Sequence, residues 1–450
     1  ICTRYYYSSL VYQGTPELYD WVFDANFNCP DIRTPDVCIF LDIDPKVSHS
    51  RVMGRSTEAE IYEQNTEMLV KAREKYINVL NKVKSARPEQ RIEFVVPSVD
   101  GYTAYKSDLH THTIFSDGHL SMEARVREAW LNGLDVMAVT EHLEHRPHEK
   151  NLVKYLKGYT PEGTEAQNYG FVSKNRPASA KDIKVDLNLP VEVARKDAEK
   201  YDITIIPGIE ITRKETGEYS HFNALFTTDN NTIYAPDAMQ SLRNAKAQNA
   251  LVMHNHPGWT HKDMKLTPFE KEVYKAGLLD GVEVINSAEF YPNSITRAEK
   301  YNLFLSSNSD IHHPSSGAYG NFGEQRNMTI IFAKDKSLAS LREALEAHRT
   351  ISYSYGTVVG SEELLRKLFL ASVSVRKTVV DYKGRTHYIL TNNSSISWLL
   401  RRENNDLVEL KGNSSIIVRL SGSKSNVYTV VNAWHGEDKH LVVDLFGEQK

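Results

Sequence analysis

Four hundred and fifty residues and 51.2 kDa point to two to four domains, because one hydrophobic core rarely grows past about 250–300 residues. Apolar residues at 40% and charged residues at 25% exclude a wholly disordered or collagen-like chain, and 54 Lys plus Arg against 58 Asp plus Glu exclude a generally basic nucleic-acid coat. No apolar run approaches a membrane span, and three cysteines (Cys2, Cys29, Cys38) are too few for a disulfide scaffold, so a reducing, cytoplasmic compartment is expected. The first residue is Ile and no basic-then-apolar leader follows it, which reads as a fragment or processed chain without a signal peptide.

In chain order, residues 1–95 offer one apolar strand, Val37 to Asp44, and a charged helix around Thr57 to Val83. From about 98 to 358 short strands alternate with helices. DLHTHT leads to the helix MEARVREAWLNG, closed by Gly133, and then to LDVMAVTEH; ITIIPGIEIT precedes HFNALF, and a helix opens at Pro236-Asp237. ALVMHNH precedes a helix opening TPFE, where Thr267 and Glu270 have capping-box spacing; GVEVINS, LFLSSNSD and a helix from Ser337 to Arg349 follow. About seven strands with intervening helices predict a barrel-like α/β domain, with an open doubly wound sheet as the alternative. From 363 to 450 the helical period is lost. FLASVSV, HYILTN, SIIVRL, VYTVVNAW and HLVVDLF, parted by Asn and Gly turns, predict a small all-β sandwich. Between Leu143 and Pro190 lie 48 residues with little periodicity, which predict a substrate-covering loop.

Of 17 histidines, 12 fall between His110 and His313. They sit with acids at strand ends: His110, His112 and then Asp117; His142; Glu210; His221; His254 and His256; Asp310 with His312. A spacing of two along a strand puts both side chains on one side, and in an α/β barrel the carboxyl ends of the strands converge on one face. A lone HxH is more often a pair of satisfied histidines, and a single Asp-Gly is usually a turn. Four strand ends carrying ligand-type residues together predict a metal site, and nine or ten such groups are too many for one tetrahedral ion.

HTHTIFSDG, TEH, GIE, HFNALF, HP and SDIHH, in that order, resemble the PHP superfamily, named for polymerases and histidinol phosphatases. The resemblance covers residues 98–350 and implies a distorted seven-stranded (β/α) barrel that hydrolyses phosphoesters with two or three Mn, Fe or Zn ions. RPH, EITR and the β-rich tail are similar to a phosphodiesterase branch found in Bacteroides-like bacteria. Carried over by position, His110, His112, Glu210 and Asp310 would hold one ion, with Glu210 bridging to a second on His221 and His256. Asp117, His142 and His312 would hold a third. HP is the family's usual form, which favours His256 over His254, and His313 competes with His312 but should point away.

Two ions about 3.5–4 Å apart lower the pKa of a shared water toward about 7, giving a metal-bridging hydroxide as nucleophile. Arg146 and Arg213 follow ligand strands and are candidates to fork onto the phosphate, against a solvated or salt-bridged reading of equal weight. His148 and His145 are candidate general acids or ordinary loop histidines, with His148 preferred as a site residue. His119 and His261 are read as ordinary loop residues.

TRYYYSSLVYQG, PDVCIFLDIDPKVSHSRVMGR and REKY are similar to the second half of thymidylate kinase, a P-loop α/β fold. On that resemblance Arg4 would contact nucleotide phosphate and Arg51 and Arg55 would be lid bases. Thr3-Arg4-Tyr5 stands where the family has Asp-Arg-Tyr, and the loop G-x-x-x-x-G-K-[ST] is absent from the sequence, so kinase activity is not expected of it. The domains expected are 1–95, 98–358 and 363–450. The expected function is hydrolysis of a small organic or nucleotide phosphate ester. The alternatives are a kinase fusion and a non-catalytic, metal-stabilised interaction module. The expected partner is a small-molecule phosphoester; there is no membrane signal and no basic stripe with interleaved aromatics for a nucleic-acid strand.

Overall fold

The computed structural model describes residues 6–27, 29, 32, 45–53, 65–86, 93–148, 186–215, 217–259, 261–319, 325–402, 407–420 and 426–445. The expected strand Val37–Asp44, the kinase-like Arg4 and Arg55, and most of the stretch from Leu143 to Pro190 lie outside these residues. Ahead of residue 93 the described residues form helices Tyr6–Gln13, Tyr19–Phe27, Pro45–Met53, which holds Arg51, and Thr66–Ala86. Leu10, Val11, Val22, Phe27, Val79 and Val83 are buried together between them.

The central strands are β1 (Thr103–Asp108), β2 (Val136–Val139), β3 (Thr204–Glu215), β4 (Glu218–Leu225), β5 (Leu251–His254), β6 (Gly281–Asn286), β7 (Glu289–Phe290), β8 (Phe304–Asn308), β9 (Met328–Ala333), β10 (Thr350–Ser354) and β11 (Thr357–Val359). β1, β2 and β3 run parallel, β4 lies antiparallel between β3 and β5, and β5, β6 and β8 are parallel again. An isolated parallel bridge, Thr111 to Ile311, brings the continuation of β8 back beside that of β1. The sheet therefore curls round on itself. Alternate residues of β2 enter different apolar clusters, Val136 and Ala138 one and Met137 and Val139 another, so the strand is buried on both faces.

Helix starts follow their caps. Ser121 accepts from Ala124 N, Asp237 from Met239 N and Ser337 from Ser340 N, while Thr267 and Glu270 form a complete capping box. Gly133, at φ +83°, follows the C-cap of Met122–Leu131. One boundary differs from expectation. β1 ends at Asp108, so the HTH run is its extended continuation, held by the 3.2 Å bond from His112 N to Ile311 O rather than by a long ladder.

The tail departs further from a separate sandwich. Its first eleven residues, Glu362–Ser372, are a helix capped by Ser361, and the strand expected in FLASVSV begins only at Val373. β12 (Val373–Val380), β13 (Thr386–Asn392) and β16 (Ser415–Leu420) make a three-stranded sheet. β14 (Trp398–Arg401), β15 (Leu407–Leu410), β17 (Val427–Gly436) and β18 (Lys439–Asp444) instead extend the main sheet, through parallel pairing of β17 with β11. The reason lies in the core. Leu365, Phe369, Trp398, Leu400 and Val430 share one buried cluster with Met328, Ile330 and Val126, so the apolar faces of tail and centre cover one another.

Candidate metal centre

The Thr111–Ile311 bridge explains how two distant motifs meet. Asp310 N donates to His110 O at 3.0 Å and His112 N to Ile311 O at 3.2 Å, so HTH and DIH lie side by side as short parallel strands. In a pleated pair the residues flanking such a bridge point to the same face. His110, His112, Asp310 and His312 accordingly converge, with His110 Nε2 at 3.2 Å and His112 Nε2 at 3.1 Å from Asp310 Oδ1. Asp117 returns through a tight turn in which a Cβ on Gly118 would lie 2.7 Å from the backbone of His112 and Thr113. Only glycine lets the loop fold this closely.

A second bridge, His142 to Glu210, sets the other half. Glu210 is fully buried and its two oxygens face different neighbours. Oε1 lies 3.1 Å from His221 Nδ1, 3.4 Å from His110 Nε2 and 3.8 Å from His256 Nε2, and Oε2 lies 2.6 Å from His142 Nδ1 and 3.5 Å from His112 Nε2. The donor atoms fall into three groups, each within 4.8 Å: His112, Asp117, His142 and His312; His110, His112 and Asp310; Glu210, His221 and His256. Asp117 joins the first group through Oδ1 to His312 at 3.2 Å and Oδ2 to His142 at 3.4 Å.

Whether these residues suit metal ions is answered by their poorly directed contacts. His110 Nε2, His112 Nε2, Asp117 Oδ1, Glu210 Oε2 and His221 Nε2 are buried and, although charged neighbours lie as near as 2.6 Å, none makes a well-aligned hydrogen bond with a described residue. Buried polar atoms of this kind are costly unless something compensates them. The opposite ring nitrogens are engaged: His110 Nδ1 with Glu283 Oε1 at 3.0 Å, His142 Nδ1 with Thr212 Oγ1 at 2.7 Å, and His312 Nδ1 with Asp310 O at 2.8 Å. A carbonyl only accepts, so His312 Nδ1 carries a proton, and in the neutral ring Nε2 would present the lone pair that metal ligation needs. Imidazole and carboxylate donors suit Zn, Mn or Fe.

Without ions the cluster is an imidazolium–carboxylate lattice. Burial opposes the charge on His110 and His142. Even so, Asp310, Glu210 and Glu283 hold His110 well above the usual imidazole value, and Glu210 and Asp117 do the same for His142. Burial, with the charges of His142 and His312, pushes His112 down to about 3, and burial takes His221 to about 4. Against burial, the surrounding histidines hold the Glu210, Asp310 and Asp117 carboxyls far below the ordinary range.

The groups open into a cavity of about 1040 Å³, lined by Asp117, His142, His221, His256, Asp310 and His312 and walled by His145, Arg213, Tyr219, Tyr234 and Trp259. His254 lies away from the cluster, with Nδ1 2.9 Å from Tyr274 Oη, Nε2 3.2 Å from Glu270 and its ring stacked on Phe222. His313 is exposed and its ring meets His119. His145 stands in the cavity wall, 3.8 Å from Asp117, whereas His148 is not among the lining residues. Arg213 reaches the wall, yet its guanidinium is engaged: Nε is 2.7 Å from Glu144, Nη2 donates to Ser241 Oγ at 3.0 Å and to the Ala235 carbonyl, and the plane lies over Tyr234. Arg146 is buried beside a small cleft lined also by Phe115, Glu141, Leu187, Pro190 and the proposed ligand His142.

Several residues around the centre were not singled out in the sequence. Glu283 is fully buried; Oε1 meets His110 and Oε2 accepts the His256 amide at 2.6 Å, at a backbone φ of +26°. Asn255 Nδ2 donates to Glu210 Oε1 at 2.8 Å. Arg125 donates to the carbonyls of His112, Ile311 and His313, tying both ligand loops to one helix. The available signal was a charge inside an otherwise apolar run, as in GVEVINS.

A curled α/β sheet with three linked imidazole–carboxylate groups at one rim defines a class of metal-binding hydrolase-type barrels. The comparisons agree: the PHP domain family matches residues 108–410, and the chain belongs to that family. A two-domain protein from Bacteroides vulgatus ATCC 8482, described as containing a predicted PHP-like metal-dependent phosphoesterase, has a solved structure that superposes with a TM-score of 0.68. It is 32% identical, over 79% of this chain and 98% of that one. The PHP match runs past the expected boundary at 358. Residues 1–98 match thymidylate kinase. Probable thymidylate kinases of Methanococcus aeolicus and Thermococcus onnurineus are 43% and 37% identical over 81 and 101 residues. These alignments take in 18% and 22% of this chain and 39% and 45% of the kinases, so the chain spans less than half the length of either kinase. Among the described residues no helix is long and apolar enough to cross a membrane.

Proposed function

We propose that this chain hydrolyses a small organic or nucleotide phosphate ester, using two or three divalent ions held by His110, His112, Asp117, His142, Glu210, His221, His256, Asp310 and His312. The observation that carries this reading is that three donor groups share residues and neighbours at the floor of one cavity, with Glu210 turned toward two of them. Ions bound there would supply positive charge to the phosphoryl oxygens and lower the pKa of water, the usual contribution of paired metals to phosphoryl transfer.

The protein's share is positioning. Asn255 fixes one oxygen of Glu210, and Asp310 spans from His110 and His112 through Oδ1 to His256 through Oδ2 at 3.8 Å. The carboxylates are thereby held rigid between imidazoles, and charge preorganised in this way needs little rearrangement as the transition state forms. Departure of an alkoxide requires a proton. His145, half-exposed in the wall and 3.8 Å from Asp117, is placed to relay one from solvent, its imidazole held below the ordinary value by burial and by the charges of His142, His312 and His148. Arg213, already committed to Glu144, Ser241 and Ala235, shapes the wall rather than forking onto phosphate.

The test is metal-loaded protein on bis(p-nitrophenyl) phosphate and p-nitrophenyl phosphate, wild type against Glu210→Gln. Turnover of one ester or both, falling by about 2–4 orders of magnitude in the variant, is the expected outcome. Equal turnover in the two proteins removes the mechanism.

A further inference from the structure

The cavity is at the upper end of the range for ligand sites, far larger than a phosphoryl group requires, and two large aromatic side chains stand at its edge. Trp259 is 50% exposed and Tyr219 42% exposed, their rings 6.3 Å apart at 61°. Trp259 lies 5.3 Å from both the His221 and His256 rings, and Tyr219 lies 6.2 Å from His221. The indole is therefore a direct neighbour of two of the proposed ligands, and half of it stays exposed in the cavity wall.

Its place is fixed by the backbone. Trp259 N donates to His256 O at 2.9 Å, closing a turn directly after a proposed ligand. Within that turn Gly258 presses so closely on Tyr291 and Met264 that a Cβ would lie 2.6 Å from the Tyr291 ring and 2.7 Å from the Met264 sulfur. Tyr219 sits two residues before His221 on β4, hence on the same side of the strand. Lys214 Nζ lies 4.9 Å from the centre of the Tyr219 ring, placing a cation beside the aromatic pair. A half-exposed indole on a tight turn offers a flat apolar face that stacking on a second ring would cover.

We propose that Trp259, with Tyr219 beside it, is a stacking platform that selects phosphoesters carrying a planar aromatic group. This inference rests on the phosphoesterase reading and adds the substrate class: the phosphorus sits over the histidine–carboxylate floor and the ring of the ester lies on the indole. A benzyl ester and a nucleoside ester share this chemistry, and the assay separates them.

The experiment compares three diesters with one common, non-aromatic leaving group, 2,2,2-trifluoroethoxide, whose other substituent is methyl, benzyl or 5′-thymidyl, so that the methyl ester alone carries no ring. Each is assayed with metal-loaded wild type, Trp259→Ala, Trp259→Phe and Tyr219→Ala. Stacking on an aromatic side chain is worth about 5- to 150-fold, so wild type should favour at least one ring-bearing ester over the methyl ester by that factor in kcat/KM. The ratio should fall toward one in Trp259→Ala and recover in Trp259→Phe. The better ring-bearing ester identifies the source of the ring. A wild-type ratio near one, or a ratio unchanged in Trp259→Ala while all three rates fall together, overturns the platform. Calorimetry with adenosine 5′-monophosphate against inorganic phosphate separates the two readings. If no ester is turned over but the nucleotide binds about tenfold tighter than phosphate, and only while Trp259 is present, hydrolysis fails and the platform stands. Equal affinity removes the platform.

Discussion

At the scale of single residues, Glu283 shows how a side chain that need not touch an ion can govern it. One oxygen meets the His110 ring and the other holds the amide of His256, so one buried carboxylate orients residues from two donor groups. Asn286 and Asn308 donate to it at 2.8 and 2.9 Å, which completes its hydrogen bonding. Glu283→Gln puts an amide in place of one of these acceptor oxygens. Loss of a partner behind a ligating histidine typically costs about 10- to 100-fold in metal affinity. Titration of metal-free protein with Co(II), read from its visible absorption, is expected to show that loss in a variant whose far-ultraviolet circular dichroism matches wild type. Unchanged affinity would contradict the orienting role. The proposed ligands were legible because period-two pairs such as His110/His112 and Asp310/His312 are visible as text. Glu283 was not, since an isolated acid in a buried strand looks the same whether it orients a ligand or satisfies a backbone amide. Arg146 and Arg213 show the converse. Nearness in sequence to a ligand strand does not fix direction: the Arg213 guanidinium lies against Glu144, and Arg146 lines a small cleft beside His142.

At the scale of elements, the site depends on two short extensions pairing outside the regular ladders. HTH and DIH are held by the Thr111–Ile311 bridge, by Arg125 from the helix Met122–Leu131, and by the fully buried pair Arg326–Asp108. Asp108 Oδ2 accepts from Arg326 Nη2 at 2.7 Å and Nε at 3.1 Å, while Oδ1 accepts the amides of His110 and Ser309, so one carboxylate anchors both loops. Arg326→Met strands that carboxylate in the interior. Breaking a buried pair in this way costs about 3–5 kcal/mol. Urea denaturation should show a loss of this size, and a change below about 1 kcal/mol would mean that the pair does not brace the loops. Most element types could be read from capping and period; Thr267 with Glu270 is an instance. The helix Glu362–Ser372 was not, because Leu368, Phe369, Ala371 and Val373 suit an apolar strand as well as a helix face. Only its packing with Trp398 and Leu400 in the common core decides between them.

At the scale of the whole molecule, metal and proton compete for one lattice. His110, His142, His256 and His312 are held above the ordinary imidazole value, so the stability they add without metal is fully present below about pH 6.5 and fades as pH rises through their raised values. Glu210, Asp310 and Asp117 are held low, and their contribution is present above about pH 4.5 and lost in stronger acid. His112 and His221 are held low and subtract stability as pH falls below about 6.5, so the metal-free lattice is strongest near pH 6.5. Ligation requires neutral imidazole, so metal uptake releases protons and tightens as pH rises. The rise in Tm on adding Mn(II) or Zn(II) should accordingly be larger at pH 8 than at pH 6; an equal rise at both would show that these histidines are not the ligands. A tail that shares a buried cluster with the centre was beyond the sequence, since the text shows which strands are apolar but not which sheet they join.

For the chain to act as proposed, ions must gather at this histidine–carboxylate floor. The most direct measurement is elemental analysis of the metal-reconstituted chain after gel filtration, for wild type and Glu210→Gln. Two or three ions per wild-type chain, with at least one lost in the variant, is the predicted result. One ion or none per chain, or a count indifferent to Glu210, would contradict it.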